Sequence, residues 1–324
     1  MEHPSNSDSP IFIVGCPRSG TSLLRNLLRS HPNLTFPDES HFIPSYYGRY
    51  GDPSDADRAR RLAKNLLSVG WVPSWKLDLA PKDFEDCRSF RAVVSRLFEA
   101  WARKEGKPRW GDKTPHYVSH IPVLIELFPA ARILHIIRDG RDVALSWLRT
   151  RMEPGNMYTA ARFWRDLVTA GRQAGARLPG GTYMEVRYEA LLADPEGAMR
   201  GVCAFIGEPY SSVVLRPSVL APARSRRGRP PKIRKPEIVR GNTTNWKTQM
   251  RAADRILFES VAGNLLAELD YETEGRVRRV TVPERWMWSL HHAGKWTLYR
   301  MDVWMLRRRL SSFLRIKGAE LLSR

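Results

Sequence analysis

The stretch IFIVGCPRSGTSLLRNLL, residues 11–28, frames the rest of the chain. Ile11–Val14 is a short apolar run of β-type residues and reads as a buried strand. Leu23, Leu24, Leu27 and Leu28 recur at helical spacing, which predicts a helix over Thr21–Ser30, ended by His31-Pro32-Asn33. Between the two lies GCPRSGTS. Gly15 and Gly20 permit a tight turn whose backbone N–H groups point inward at the positive end of the coming helix. Such a turn cradles an oxyanion of phosphate type, and Arg18 and the hydroxyls of Ser19, Thr21 and Ser22 add donors. A nucleotide-triphosphatase loop carries Lys after its second glycine; here that position is Thr21. Taken alone, the stretch is also compatible with a βα turn that binds nothing.

Further along, strands and helices alternate. Leu34–Phe36 suggests a second short strand, and residues 41–108, rich in Trp, Pro and charge, suggest an insertion of several short helices. RILHII, residues 132–137, is the best central strand. Helices are predicted over 142–151, 163–178 and 252–269, a strand over 182–187, and a helix over 189–206 interrupted near Asp194-Pro195. This order implies an α/β fold, a three-layer P-loop-like arrangement around a central parallel sheet, with a helical insertion and a basic helical C-terminal extension. The main domain is expected over 1–275 and a Trp- and Arg-rich helical tail over 276–324.

Composition bounds the function. At 324 residues with 42% apolar and 27% charged residues, the chain can bury a large core. Cys16, Cys87 and Cys203 stand far apart, which argues for a reducing compartment and against a disulfide framework or a zinc–cysteine site. The start, MEHPSNSDSP, has no basic-then-apolar pattern of a secretory signal. The apolar stretch 117–137 is broken by Pro122, Glu126, Pro129 and Arg132, so it does not read as a membrane span. These features point to a cytoplasmic protein. The formal charge is +19, concentrated in residues 223–240 (eight Lys/Arg, one acid) and 275–324 (twelve and three), so an anionic partner is expected.

A second constellation, RDGRDVALSW, spans residues 138–147 directly after RILHII. Arg138 falls at the C-terminal end of a strand, where open α/β sheets bind ligands. With the helix starting near Asp142, Ser146 lies about one turn along it, and the two can grip a second phosphate. The competing reading is a solvated charge cluster capping a helix.

A phosphate loop without its lysine, followed by an Arg…Ser segment, resembles the sulfotransferases that use 3′-phosphoadenosine-5′-phosphosulfate. The resemblance assigns Pro17, Arg18, Ser19, Gly20, Thr21 and Ser22 to the 5′-phosphosulfate end of that donor and Arg138 with Ser146 to its 3′-phosphate. It implies no metal requirement, in keeping with the absent Walker lysine. HPNLTFPDESHF, residues 31–42, and GDKTP, residues 111–115, resemble segments of the branch that holds protein-tyrosine sulfotransferases and their bacterial relatives. They imply Glu39 as catalytic base, with Arg18 and Lys113 neutralising charge on the sulfuryl oxygens and the leaving phosphate. His41 competes for the base role, since its intrinsic pKa suits it better. Lys113 paired with Asp112 at the surface is the bland alternative. VRYEALLADP, residues 186–195, implies Tyr188 near the adenosine, and TNWK, residues 244–247, adds Asn245, Trp246 and Lys247 to the donor site.

The implied activity is transfer of a sulfuryl group to a hydroxyl, or second to it an amine, of a saccharide, lipid or small metabolite, leaving 3′-phosphoadenosine-5′-phosphate. A P-loop-like nucleotide or small-molecule kinase is the first rival. The second is a basic DNA-binding protein, since SRRGRPPKIRKP, residues 225–236, is similar to an AT-hook; nucleic acid is disfavoured because such an arm explains none of the anion sites, and the resemblance instead implies that the basic, Pro-rich loop 221–245 is a lid near the 3′-phosphate. The tail carries four Trp, and Tyr299, Val303, Leu306, Leu310 and Phe313 draw one apolar helix face, with arginines off the stripe. That face suits either an anionic membrane surface or packing on the domain or on a second subunit of a homodimer.

Overall fold

Alternation of strand and helix is realised from Ile11 onward. The computed structural model describes residues 9–150, 155–216, 241–295 and 297. Strand β1 (Ile11–Val14) leads through the glycine turn into α1 (Thr21–Arg29) and β2 (Leu34–Thr35). The insertion folds as α2 (Ile43–Tyr50), α3 (Ala56–Ser68), α4 (Val72–Trp75) and α5 (Phe90–Lys104). Then come β3 (Arg109–Lys113), α6 (Ile121–Leu127), β4 (Arg132–Ile137), α7 (Gly140–Leu148), α8 (Met157–Gly175) and β5 (Tyr183–Arg187). The chain continues through α9 (Tyr188–Ala193), α10 (Pro195–Ile206), α11 (Trp246–Gln249) and α12 (Ala252–Glu268), and α13 occupies 282–295.

Local chemistry fixes several boundaries. Asp55 and Ser89 cap α3 and α5 by accepting from the N–H groups of Arg58 and Ala92. The expected break at 194–195 separates α9 from α10: Asp194 accepts from Gly197 N–H, and Pro195 occupies the first turn, where no N–H is needed. Asn156 Oδ1 accepts from Thr159 N–H at 3.0 Å, so α8 starts at Met157, six residues before the expected Phe163. Helix α7 begins at Gly140 rather than Asp142, because Asp139 is its cap and accepts from Arg141 N–H at 2.9 Å. Ser146 therefore lies nearly two turns into α7 instead of about one. The insertion includes helices of 13 and 15 residues, longer than the short helices expected. The AT-hook-like stretch 225–236 and the apolar stripe 299–313 lie outside the described residues.

The chain divides into two compact units, residues 1–138 with 167–243 and residues 139–166 with 244–324. The first holds a five-stranded sheet in the order β2-β3-β1-β4-β5, with every neighbouring pair parallel. Alternate residues of β1 face opposite sides. Ile11 and Ile13, with Leu134, Ile136 and Val186, pack on Leu24, Leu27 and Leu28 of α1 and on Leu191, Met199, Val202 and Ile206 of α9 and α10. Phe12 faces the other way, against Trp110 and Phe128 at ring-centroid distances of 6.1 and 5.7 Å, and Phe98 of α5 stacks on Trp110 at 4.5 Å. The insertion thus covers one face of the sheet.

Strand β3, RWGDK, was not anticipated, since it alternates poorly and carries three charges. All five residues are buried. Arg109 pairs with Glu208 at 3.0 Å and donates to the carbonyls of Ile206 and Ser9. Asp112 accepts from the Ser40 and Thr114 hydroxyls, and Lys113 pairs with Glu39. Each buried charge has its partner, which is the condition for its being there at all.

His135, in β4, is fully buried, with Nδ1 2.6 Å from the Tyr183 hydroxyl. Burial, helped by the charge of Arg172, depresses its pKa from 6.5 to about 3. The unfolded chain therefore takes up a proton that the folded one refuses, so His135 costs stability as pH falls below about 6.5. Asp112, raised by burial to about 6 against the opposing hydrogen bonds of Ser40 and Thr114, acts in the reverse sense below that pH. Comparing wild type with His135→Gln cancels the other groups. The stability difference between the two, read by urea unfolding, is expected to change by about 3 kcal/mol between pH 7 and pH 4, to the relative loss of wild type. A gap independent of pH would contradict this assignment.

In the second unit, α7, α11 and α12 gather around Arg141. Among the described residues, no helix is long and apolar enough to cross a membrane.

Candidate active site

Every strand of the sheet ends at a residue that the sequence had singled out or at the segment leading to one. Gly15 follows β1, Glu39 lies four residues beyond β2, Lys113 closes β3, Arg138 follows β4 and Tyr188 follows β5. In a parallel sheet these C-terminal ends share one edge, beside the point where the chain leaves β1 and β4 toward opposite sides.

The loop 15–20 turns sharply from β1 into α1. Gly20 caps α1 with φ 98°, and Arg18 is held at φ 76° with its side chain exposed. A Cβ at Gly20 would meet the Tyr188 ring at 2.4 Å, so the loop requires glycine there both for its backbone angle and for the aromatic packed against it. Ser19 Oγ is fully buried and makes no hydrogen bond. Leaving such a hydroxyl unmatched costs about 1–3 kcal/mol. Thr21 is buried at the first helical position, Ser22 is exposed and Pro17 is half-buried.

Arg138 joins this loop to two other elements. Its guanidinium lies 4.5 Å above the Tyr188 ring, donates to the Asn242 carbonyl at 3.0 Å and reaches the Arg18 carbonyl at 3.5 Å. Asn242 in turn donates to the Tyr188 hydroxyl at 2.9 Å. Asn242 was not foreseen from sequence; it adjoins a basic stretch with no motif to mark it.

The second cluster is Glu39, Lys113 and His41. One carboxylate oxygen of Glu39 accepts from Lys113 Nζ, and the other lies 2.6 Å from His41 Nε2. Lys113 is 3% exposed, so it is neither a surface residue nor paired with Asp112, as the bland alternative held. Successive residues of a strand point to opposite faces, which sends Asp112 to Ser40 and Thr114. Burial raises the Glu39 carboxyl, but the hydrogen bond from His41 and the charge and hydrogen bond of Lys113 outweigh it and hold the group at about 2. Burial also pulls Lys113 below its usual range, against the opposing charge of Glu39.

Asp112 carries the scaffold beneath this cluster. The Ser40 hydroxyl bridges Asp112 and the Tyr117 hydroxyl, and Tyr117 also accepts from Ile43 N–H at 2.9 Å. Ser40 N–H donates to Thr114 Oγ1 at 3.2 Å. Four side chains thereby pin the loop 38–43 to the end of β3 and set the position of Glu39. Arg25, on α1, adds a cation: its Nη1 is 3.5 Å from Asp38, and burial lowers its pKa despite the carboxylates of Asp38 and Glu39. Its spacing of four from Thr21 puts it on the face of α1 that starts at the cradle, which was the available signal.

The remaining expected donor residues belong to the second unit. Ser146 is on α7. Asn245 precedes α11, and Trp246 is 2% exposed, with the Arg141 guanidinium 3.5 Å from its ring centroid and its backbone N–H donating to Asp142 at 2.9 Å. Lys247 pairs with Glu272 at 2.5 Å.

The chain resembles known proteins in the same terms. It is 25% identical over 218 residues to a putative protein-tyrosine sulfotransferase of Caenorhabditis briggsae, covering 65% of this chain and 70% of that one. It is 29% identical over 220 residues to protein-tyrosine sulfotransferase 1 of Danio rerio, covering 65% of this chain and 56% of that enzyme, so it spans little more than half of that relative. It is also 27% identical over 298 residues to the nodulation protein NoeE of Sinorhizobium fredii, covering 81% and 65%. Among solved structures, the sulfotransferase domain from the curacin biosynthetic pathway has the same fold, with a TM-score of 0.57 at 23% identity over 82% of this chain and 98% of that one. The sulfotransferase domain of the Synechococcus PCC 7002 olefin synthase gives 0.58 at 23% identity, over 82% and 96%. A sequence profile of the sulfotransferase family matches residues 10–212, and the chain belongs to that family.

Proposed function

We propose that this protein transfers a sulfuryl group from 3′-phosphoadenosine-5′-phosphosulfate to an acceptor hydroxyl. The observation that carries the reading is the Glu39–Lys113 pair at the same sheet edge as the glycine cradle and Arg138. The unmatched Ser19 hydroxyl fits a bound oxyanion. The cradle, Arg18 and Arg138 would hold the phosphate groups of the donor and Tyr188 would border its adenosine; Ser146, Asn245, Trp246 and Lys247 are proposed donor contacts on the family resemblance alone. When bound, the donor supplies an activated sulfuryl group whose transfer needs an acceptor oxygen freed of its proton.

The chain's own residues account for that need. Glu39 is the proposed proton acceptor. Clamped between Lys113 and His41 it is a weak base, with a pKa of about 2. An anionic donor competes for the Lys113 ammonium, and as Lys113 turns to it the carboxylate loses its strongest charge partner and its basicity rises. The same movement brings a cation to the oxygen on which negative charge develops. Base strength and charge neutralisation are thus coupled through one salt bridge. The acceptor is a saccharide, lipid or small-metabolite hydroxyl, and the names of the relatives bring a tyrosine phenol into the same screen. The kinase and DNA-binding readings account for neither Glu39 nor Lys113.

Thermal stabilisation by 3′-phosphoadenosine-5′-phosphate, with 5′-AMP and Mg-ATP as controls, tests the donor assignment. A ligand of the folded state adds RT ln(1 + [L]/Kd) to stability, about 2.7 kcal/mol at a hundredfold excess over Kd. The bisphosphate is expected to raise Tm well above the effect of AMP, and Arg138→Ala to weaken its binding by at least about tenfold. A larger shift with Mg-ATP than with the bisphosphate would favour the kinase reading.

A further inference from the structure

The second unit carries a surface that the transfer chemistry does not use. Helix α13 docks through one side only: Asn156 donates to the Trp288 carbonyl at 2.8 Å, Tyr158 packs on the Trp288 ring at 5.2 Å, and Gly155 N–H donates to His292 Nδ1 at 3.1 Å. With Trp288 and His292 fixed inward, Val282, Trp286 and Leu290, each four residues apart, form a line on the other side. They are 62%, 67% and 66% exposed, and Met287 beside them is 55% exposed. Most of the large apolar side chains exposed among the described residues belong to this line and its flank at Val277.

Trp286 also borders a cleft of about 670 Å³ lined by Arg162, Arg165, Arg278, Arg279 and Arg285. Arg165 pairs with Asp166 and Arg278 with Glu284. Among the described residues, no carboxylate pairs with Arg162, Arg279 or Arg285. A row of exposed apolar side chains would seek a dry partner, and a cluster of unneutralised guanidiniums seeks phosphate oxygens. An anionic bilayer offers both at one boundary, with a tryptophan suited to the junction between them.

We infer that the Val282–Trp286–Leu290 line and the arginine cleft beside it form a docking surface for an anionic lipid membrane, the arginines taking headgroup phosphates and the apolar line entering the acyl boundary. The inference is independent of the donor site, so either can fail without the other. Co-sedimentation of the full chain with phosphatidylcholine vesicles, and with vesicles containing roughly one-third phosphatidylglycerol, tests it. Binding is expected to be at least about tenfold stronger on the anionic vesicles and to weaken as salt rises. The doubles Trp286→Glu/Leu290→Glu and Arg279→Glu/Arg285→Glu alter different halves of the surface, and each is expected to lower anionic-vesicle binding by about tenfold or more. Circular dichroism and Tm of each variant report its folding, and the apolar-line double changes side chains that already lie in solvent. Equal binding to neutral and anionic vesicles, no binding to either, or wild-type binding by folded variants would overturn the inference.

Discussion

Glu39→Gln is expected to lower kcat by about 10²–10⁴-fold without weakening affinity for 3′-phosphoadenosine-5′-phosphate. The amide keeps the shape of the side chain, and its carbonyl oxygen can still accept from Lys113 Nζ. What it loses is the ability to take a proton. A selective fall in kcat is the signature of an interaction made in the transition state alone. The measurement is bisphosphate release under turnover with an acceptor found by screening, set beside bisphosphate binding to the same variant. His41→Ala supplies the control. If His41 were the base, its loss would have the large effect and Glu39→Gln would retain activity within about tenfold. The variant also alters stability. The folded pKa of Glu39, about 2, lies below its ordinary 4.5, so its stabilising contribution is present above about pH 4.5 and fades as pH falls toward 2. Discounted for a side chain that is 30% exposed, the contribution at neutral pH is on the order of 1–2 kcal/mol.

Arg141→Ala is expected to cost about 3–5 kcal/mol of unfolding free energy. Arg141 is 1% exposed and pairs with Asp139 and Glu259, each at 2.8 Å. It also donates to the Glu272 carbonyl at 2.7 Å and lies against the Trp246 ring. Alanine would remove the guanidinium that these two buried carboxylates share. Much of the cost is that of the stranded charges, so adding Asp139→Asn and Glu259→Gln should recover a large part of it. Arg141→Lys should not, because one ammonium cannot reproduce the planar fork that serves both carboxylates and the aromatic face. Urea unfolding of the four proteins decides the matter. A loss below about 1 kcal/mol in Arg141→Ala would mean that water reaches and solvates both acids.

These two residues show how differently the sequence and the fold speak. Glu39 was legible because its segment resembles one in a known family, yet nothing nearby in the chain announced that Lys113, 74 residues away, would clamp it. Arg141 was read only as part of a charge-rich helix start; its role depends on Glu259, 118 residues on. The Asp112–Ser40–Tyr117 network was likewise invisible, since it is defined by partners more than 70 residues apart in the chain.

What the sequence by itself determined is local. The run Ile11–Val14, the glycines at 15 and 20 and the leucines of α1 lie within one another's reach, so their order alone dictates strand, cradle and helix. The same holds for β4, for the break at Asp194-Pro195 and for α12. What only the tertiary structure decided is long-range. Strand β3 reads as a polar segment because the partners of Arg109, Asp112 and Lys113 come from residues 208, 40 and 39. Buried charge is tolerable only when paired, and pairing across such distances in the chain is a property of the fold. The side of α13 that faces outward was settled in the same way, by Trp288 and His292 docking on residues 155–158 and leaving Trp286 and Leu290 to solvent.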